Sequence, residues 1–166
     1  MKTFFCLFGI LLFCSCSMFK PSQKTFIKPI AGEYSFGSAN GGGSHGSILI
    51  YPLNDSSSLF RLDVSRGAPS YNSGAITGKM ILNGENTYSF VKDNEGDMMN
   101  CNLFFKLDGD TLSISSLEEK FKCGFGYAVY PDGDYLLKDS VIPEFYMNGE
   151  GSIFYFKDVL LSNSII

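Results

Sequence analysis

Cys101-Asn102-Leu103-Phe104-Phe105-Lys106-Leu107-Asp108-Gly109-Asp110-Thr111-Leu112-Ser113-Ile114-Ser115 is the stretch that decides the fold. Cys101, Leu103, Phe105 and Leu107 recur every second residue, so an extended chain puts all four on one face. Asp108-Gly109 is a tight-turn pair, and the segment that follows is short and rich in β-formers. The reading is an antiparallel hairpin with one buried face, and Cys101 begins on the core side.

The same pattern extends in both directions. Upstream, Gly32–Phe36 alternates with Tyr34 and Phe36 on one side. A glycine-rich loop, Gly37–Gly46, leads to an apolar strand over Ser47–Leu53. Asn54–Ser58 is a turn, and Leu59–Val64 a strand with Phe60, Leu62 and Val64 inward. A polar loop, Ser65–Ser73, precedes a strand over Gly74–Leu82. Asn83-Gly84 signals a two-residue type I′ hairpin turn, with Asn86–Lys92 as its partner strand. Asp93–Asp97 is a further turn. Downstream, Leu117–Lys122 reads as a short helical turn, and Tyr127–Tyr130 as a short extended piece. Pro131-Asp132-Gly133 turns into a strand over Asp134–Lys138. Glu144–Met147 and Ser152–Lys157 flank a turn at Asn148–Gly151 as a last hairpin. Many short strands with regular turn signals mean a barrel or a sandwich. Sixteen Phe and nine Tyr supply core volume without any Trp. An antiparallel barrel of about eight strands is preferred, because closure removes exposed edges; a β-sandwich is the alternative.

The N-terminus predicts an address. Lys2, the apolar run Phe4–Phe13 and then Cys14-Ser15-Cys16 make a signal layout, too short to span a bilayer, which takes about 20 apolar residues. Small Ser15 before Cys16, with Leu12 and Phe13 upstream, resembles the lipobox of bacterial lipoproteins, in particular those of the Bacteroidota. The resemblance implies cleavage after Ser15 and acylation of Cys16, with the membrane as partner through that lipid. Residues 1–15 are then the signal peptide, 16–29 the acylated cysteine and tether, and 30–166 a single β domain. The tether carries Lys20, Lys24 and Lys28 with Pro21 and Pro29 and no acidic cluster. By the same resemblance this places the protein in the cell envelope, at the outer membrane facing the periplasm.

Cleavage removes only Lys2 among the charges, so 13 basic residues become 12 against 17 acidic ones. An acidic chain argues against nucleic acid, which calls for clustered basic surface. It suits a basic protein partner instead. Two cysteines remain in the exported part, Cys101 and Cys123. An oxidising compartment predicts their pairing, which stabilises the fold by roughly 3 kcal/mol in the chain-entropy picture. A metal site or redox pair fits less well, because there is no CxxC and His45 is the only histidine.

Chemistry-bearing motifs are sparse, and no catalytic residue, metal ligand or cofactor is assigned. His45 lies in Gly-Gly-Gly-Ser-His-Gly, an expected flexible loop. That loop lacks the Gly-Lys-Ser/Thr ending of a phosphate cradle. Asp93-Asn94-Glu95-Gly96-Asp97 lacks the distal Glu of a calcium loop. Glu118, Glu119, Glu144 and Glu150 are not placed across one cleft, as a glycosidase needs.

One resemblance bears on function. Cys101-Asn102-Leu103-Phe104-Phe105, then Cys123-Gly124-Phe125-Gly126, then Gly133-Asp134-Tyr135, is similar to the lysozyme-inhibitor-like β-barrel domains of the bacterial envelope. It covers residues 70–136. It implies a barrel with a strand cysteine bridged to the Cys-Gly segment; beside it, the residues themselves suggest that Gly124 and Gly126 relieve crowding where that segment packs and that Phe125 plugs the barrel. Inhibitors of chicken-type lysozyme in that group carry a Ser-Gly-x-x-Tyr loop that enters the enzyme cleft. Here Ser73 and Gly74 match, Thr77 stands at the Tyr position, and Tyr71 precedes the pair. Ser73-Gly74 alternatively just opens a strand. The expected function is a non-enzymatic macromolecule-binding module, with a lysozyme inhibitor as its sharpest form. Arg66 and Tyr71 are the binding residues on the Ser65–Ser73 loop, being of types enriched at hot spots. A structural accessory subunit and a small carboxylate-dependent hydrolase are the alternatives.

Overall fold

In the computed structural model, which describes residues 30–92, 101–116 and 123–159, eight strands form a closed antiparallel barrel. They are β1 (Gly32–Phe36), β2 (His45–Asn54), β3 (Ser57–Ser65), β4 (Ser73–Gly84), β5 (Thr87–Lys92), β6 (Cys101–Asp108), β7 (Thr111–Ser116) and β8 (Gly133–Asp139). Each pairs with the next, and β8 closes on β1 through Tyr34↔Leu137 and Ser35↔Leu136. The barrel is therefore chosen over the sandwich. The signal, Cys16 and the tether, the Asp93–Asp97 turn and the Leu117–Lys122 helical turn lie outside the described residues.

Alternation sorts the side chains. Cys101, Leu103, Phe105 and Leu107 are all buried, as the period-two pattern requires. The Phe60 ring meets Phe90 and Phe105 edge-on at centroid distances of 5.1 and 5.2 Å, and Phe36 meets Tyr135 at 4.8 Å. Gly78 is the small partner this crowding needs, since a Cβ there would sit 2.3 Å from the Phe90 ring. Rings and branched chains fill the centre, as in other small barrels. An apolar interior is the reverse of a membrane-spanning barrel, whose lumen is polar and whose outer band is apolar.

The disulfide Cys101–Cys123 is formed, with a Cα–Cα distance of 4.5 Å. It ties the segment after Cys123 to the start of β6. Phe125 then closes the barrel end from within the core cluster, packed on Gly74. Gly126 approaches Ser73 closely enough that a Cβ would stand 2.8 Å from its carbonyl oxygen. Gly124 has open space around it; its φ of +78° is what calls for glycine there, not crowding.

Several boundaries differ from the sequence reading. His45 and Gly46 belong to β2, so the glycine loop is shorter and contains a 3-10 turn over Ala39–Gly41. Ser65 and Ser73 pair with each other, which shortens the polar loop to residues 66–72. Residues 127 and 128 form a turn, with Ala128 at φ 57°, in place of an extended piece. The β4–β5 tip is at Glu85 and Asn86, not Asn83-Gly84; Asn86 takes the positive φ of 60°.

The last hairpin is present as β9 (Phe145–Met147) and β10 (Ile153–Tyr155). Phe156 and Lys157 open a short helix, α1 (Phe156–Val159), rather than continuing the strand. This unit packs on the outside of β2 and β3. Tyr146 and Phe156 are buried with Leu59, against Leu49, Tyr51 and Leu53.

Candidate functional site

Strand direction gives the barrel two unlike ends. Residue 30, the tight β2–β3, β4–β5 and β6–β7 turns and the exit of β8 share one end. The other end collects the longer connections, among them 37–44, 66–72 and 123–132.

The 66–72 loop is firmly built. The Arg66 N–H donates to the Asn72 carbonyl at 2.9 Å, and the Tyr71 N–H to the Gly67 carbonyl at 2.8 Å. Gly67, at φ 75°, lies against the Gly43 carbonyl, where a Cβ would come within 2.3 Å. Ser44 Oγ donates to the Arg66 carbonyl at 3.4 Å. On the other side, Asn72 Nδ2 donates to the Tyr127 carbonyl at 2.9 Å, and the Gly126 N–H to the Ser73 carbonyl at 3.2 Å. Three connections thus brace one another.

This frame holds two tyrosines outward. Tyr71 is 71% exposed and Tyr127 75% exposed. Tyr71 also adopts a φ of 50°, a left-handed conformation that costs a residue with a side chain roughly 1–2 kcal/mol. Arg66 is exposed on the same loop. Arg66 and Tyr71 are the residues expected from sequence, and both are exposed on this loop. Tyr127, equally exposed, was not singled out in sequence; its signal was an aromatic next to the bridged Cys-Gly-Phe-Gly segment.

Ser73 and Gly74 fall elsewhere. They begin β4, opposite Ser65 and Val64, and their backbone receives Gly126 and Phe125. They also line a groove of about 610 Å³ on the outer face of β1–β4. Register explains the groove. Across the sheet, Ser35, Ser47, Asp63 and Ala75 form one row, and His45, Ser65 and Ser73 the next. These side chains are short, whereas the apolar rows toward the turn end are covered by the C-terminal hairpin, whose Gly149 forms one wall.

The groove is charged but balanced. Arg61, only 14% exposed, donates through Nε to Asp63 Oδ2 and through Nη2 to Oδ1, both at 2.8 Å. Its Nη1 reaches Thr77 Oγ1 at 3.3 Å, and the guanidinium lies 5.2 Å from the Tyr146 ring centre. Both oxygens of Asp63 are thereby engaged. Glu33 and Lys138 line the groove without a partner among the described residues. His45, placed in a strand and not in a flexible loop, has Nδ1 3.1 Å from the Gly43 carbonyl. Among the described residues no three His, Cys, Asp or Glu side chains are grouped to hold a metal ion. Comparison with protein-family models, curated proteins and solved structures gives no match.

Proposed function

We propose that this protein is a lipid-anchored, non-enzymatic binding module of the cell envelope that presents its loop end to another macromolecule. The observation that carries the reading is Tyr71: a large, exposed aromatic kept in a costly backbone conformation by a braced loop. Packing gains nothing from such an arrangement, and strain of this kind clusters at binding sites. Tyr127 beside it and Arg66 on the same loop supply the residue types that dominate interfaces. The filled interior supports recognition at the surface rather than in a lumen. The acidic chain favours a basic partner, and a lysozyme-like glycosidase is the specific candidate. Chain entry at the opposite end favours an anchor on Cys16 that leaves the loops facing away from it.

The groove gives the hydrolase reading one supporting feature, two carboxylates on one cleft. Asp63 is clamped by Arg61, however, so the pair supports binding of a polar group better than two-carboxylate catalysis.

Titration of chicken-, goose- and invertebrate-type lysozymes with the mature chain tests the reading. Stoichiometric inhibition of one class is expected. Tyr71→Ala and Tyr127→Ala should each weaken it by about 2 kcal/mol, roughly thirtyfold. Unchanged inhibition by both variants would remove the loop end as the site.

A further inference from the structure

The C-terminal hairpin has two faces, and only one is covered. Ile153 pairs with Met147 and Tyr155 with Phe145, so these four share a face; Tyr146 and Phe154 share the other. Tyr146 is buried against the barrel, which turns the first set outward. Met147 is 60% exposed and Ile153 53% exposed, and Phe145 and Tyr155 are exposed beside them. Val141 and Ile142, just before β9, are exposed as well. Single apolar residues on a surface are ordinary, but a run of six on one short unit marks an interaction surface.

The position of the chain's entry identifies the occupant. Gly32 lies directly against Asp139 and Ser140, where a Cβ would come within 2.4 Å of the Asp139 carbonyl oxygen. Ile30, the first described residue, stands two positions before Gly32, so the described chain begins beside the end of β8, where Val141 and Ile142 follow. The sequence before Ile30 carries the apolar run and Cys16 that predict membrane attachment. The composition also suits a bilayer surface. Aliphatic and aromatic side chains are joined by a tyrosine whose ring lies 5.4 Å from the Lys157 ammonium, the pairing that places a ring at headgroup level and a lysine in water. Glu144, Glu150 and Asp158 are exposed at sequence positions flanking the two strands, and these acidic side chains suit zwitterionic rather than strongly anionic lipid.

We infer that the outward face of the C-terminal hairpin, with Val141 and Ile142, is a lipid-docking surface that lays the domain on a zwitterionic bilayer. A lipid on a tether holds a domain near the membrane without orienting it; an apolar hairpin face orients it. The inference rests on the Cys16 anchor of the proposed function and is independent of its loop-end part.

The chain contains no Trp, so one introduced indole is a clean reporter. The full chain carrying Met147→Trp, or Ile153→Trp as a second reporter on the same face, is reconstituted in phosphatidylcholine–phosphatidylethanolamine vesicles with brominated acyl chains. Both reporters should shift to shorter wavelength and be quenched severalfold, while Tyr71→Trp stays unquenched. Absence of bromine quenching at both hairpin positions would overturn the inference, including where a blue shift without quenching reveals a protein partner instead. The mass of the Cys16 peptide from the same sample reports acylation separately, so a failed anchor and a failed docking surface give different results.

Discussion

At the scale of single residues, Gly74 shows how a recognition motif and a packing contact look alike in sequence. Its match to a Ser-Gly loop was legible. Its contact with Phe125, 51 positions along the chain, was not, because only the closed barrel and the disulfide bring the two together. A Cβ at Gly74 would stand 2.3 Å from Phe125 Cδ1 and 2.7 Å from its Cα. Gly74→Ala should therefore destabilise the free protein by about 1–3 kcal/mol, as overpacking does. Ser73→Ala, at an exposed side chain, should stay within about 0.5 kcal/mol. Denaturant midpoints of the two variants check this. Phe125 itself was readable as a plug, being an apolar side chain between two glycines after a bridged cysteine.

Buried phenols at the same scale give a pH dependence. Burial, with the Asp110 carboxylate and Tyr88 adding to it, pushes the Tyr34 hydroxyl up to about 12. Burial also raises Tyr88, and burial with Asp132 raises Tyr135, whose hydroxyl donates to the Pro131 carbonyl at 2.9 Å. The unfolded chain loses these protons near the ordinary phenol value of about 10, while the folded chain keeps them. Stability is then fully present below about pH 10 and falls as pH climbs toward the folded value for Tyr34 of about 12. Thermal melts across this window should show a declining midpoint, and Tyr34→Phe should make the decline shallower.

At the scale of elements, the β4–β5 connection shows one sequence signal overruling another. A two-residue turn at Asn83-Gly84 would place Glu85, Thr87 and Ser89 opposite inward-facing Leu82, Met80 and Gly78. The observed register pairs Leu82 with Tyr88 and Ile81 with Ser89, which turns Tyr88 and Phe90 into the core. The two registers differ by three residues, an odd shift that, like a one-residue slip, moves every side chain to the other face, so burial of two aromatics sets the tip. Asn86, tolerant of positive φ, then takes the turn position. The C-terminal hairpin was legible as a hairpin, but its docking on β2 and β3 was not, since Leu49, Tyr51 and Leu59 simply read as apolar strand residues.

The bridged segment is the element with the largest expected energetic effect. Replacing Cys101 and Cys123 by Ala together should cost about 2–4 kcal/mol. It should also speed amide exchange over 123–126, because Phe125 loses the link that holds its segment to β6. Thiol labelling of the unreduced, denatured mature chain should find neither cysteine free.

At the scale of the whole molecule, a period-two pattern with frequent turns pointed to an antiparallel barrel of about eight strands but left a sandwich open; pairing of β8 with β1 is what closes the barrel. The groove was not foreseen, because it arises from short side chains placed in cross-strand rows by register. The two ends of the barrel are unlike, as a module with one binding end requires. One end holds tight turns and the chain's entry; the other holds braced loops with Tyr71 and Tyr127 outward. The apolar hairpin occupies the side, so membrane docking there leaves the loop end open.

Site-specific photo-cross-linking in intact cells tests the central claim, that the loop end is the binding end. A photoreactive residue at Tyr71 or Tyr127 should give one defined protein adduct, and the same residue at Lys106, exposed on the outer face of β6, should give none. An adduct from Lys106 with none from either tyrosine would contradict it.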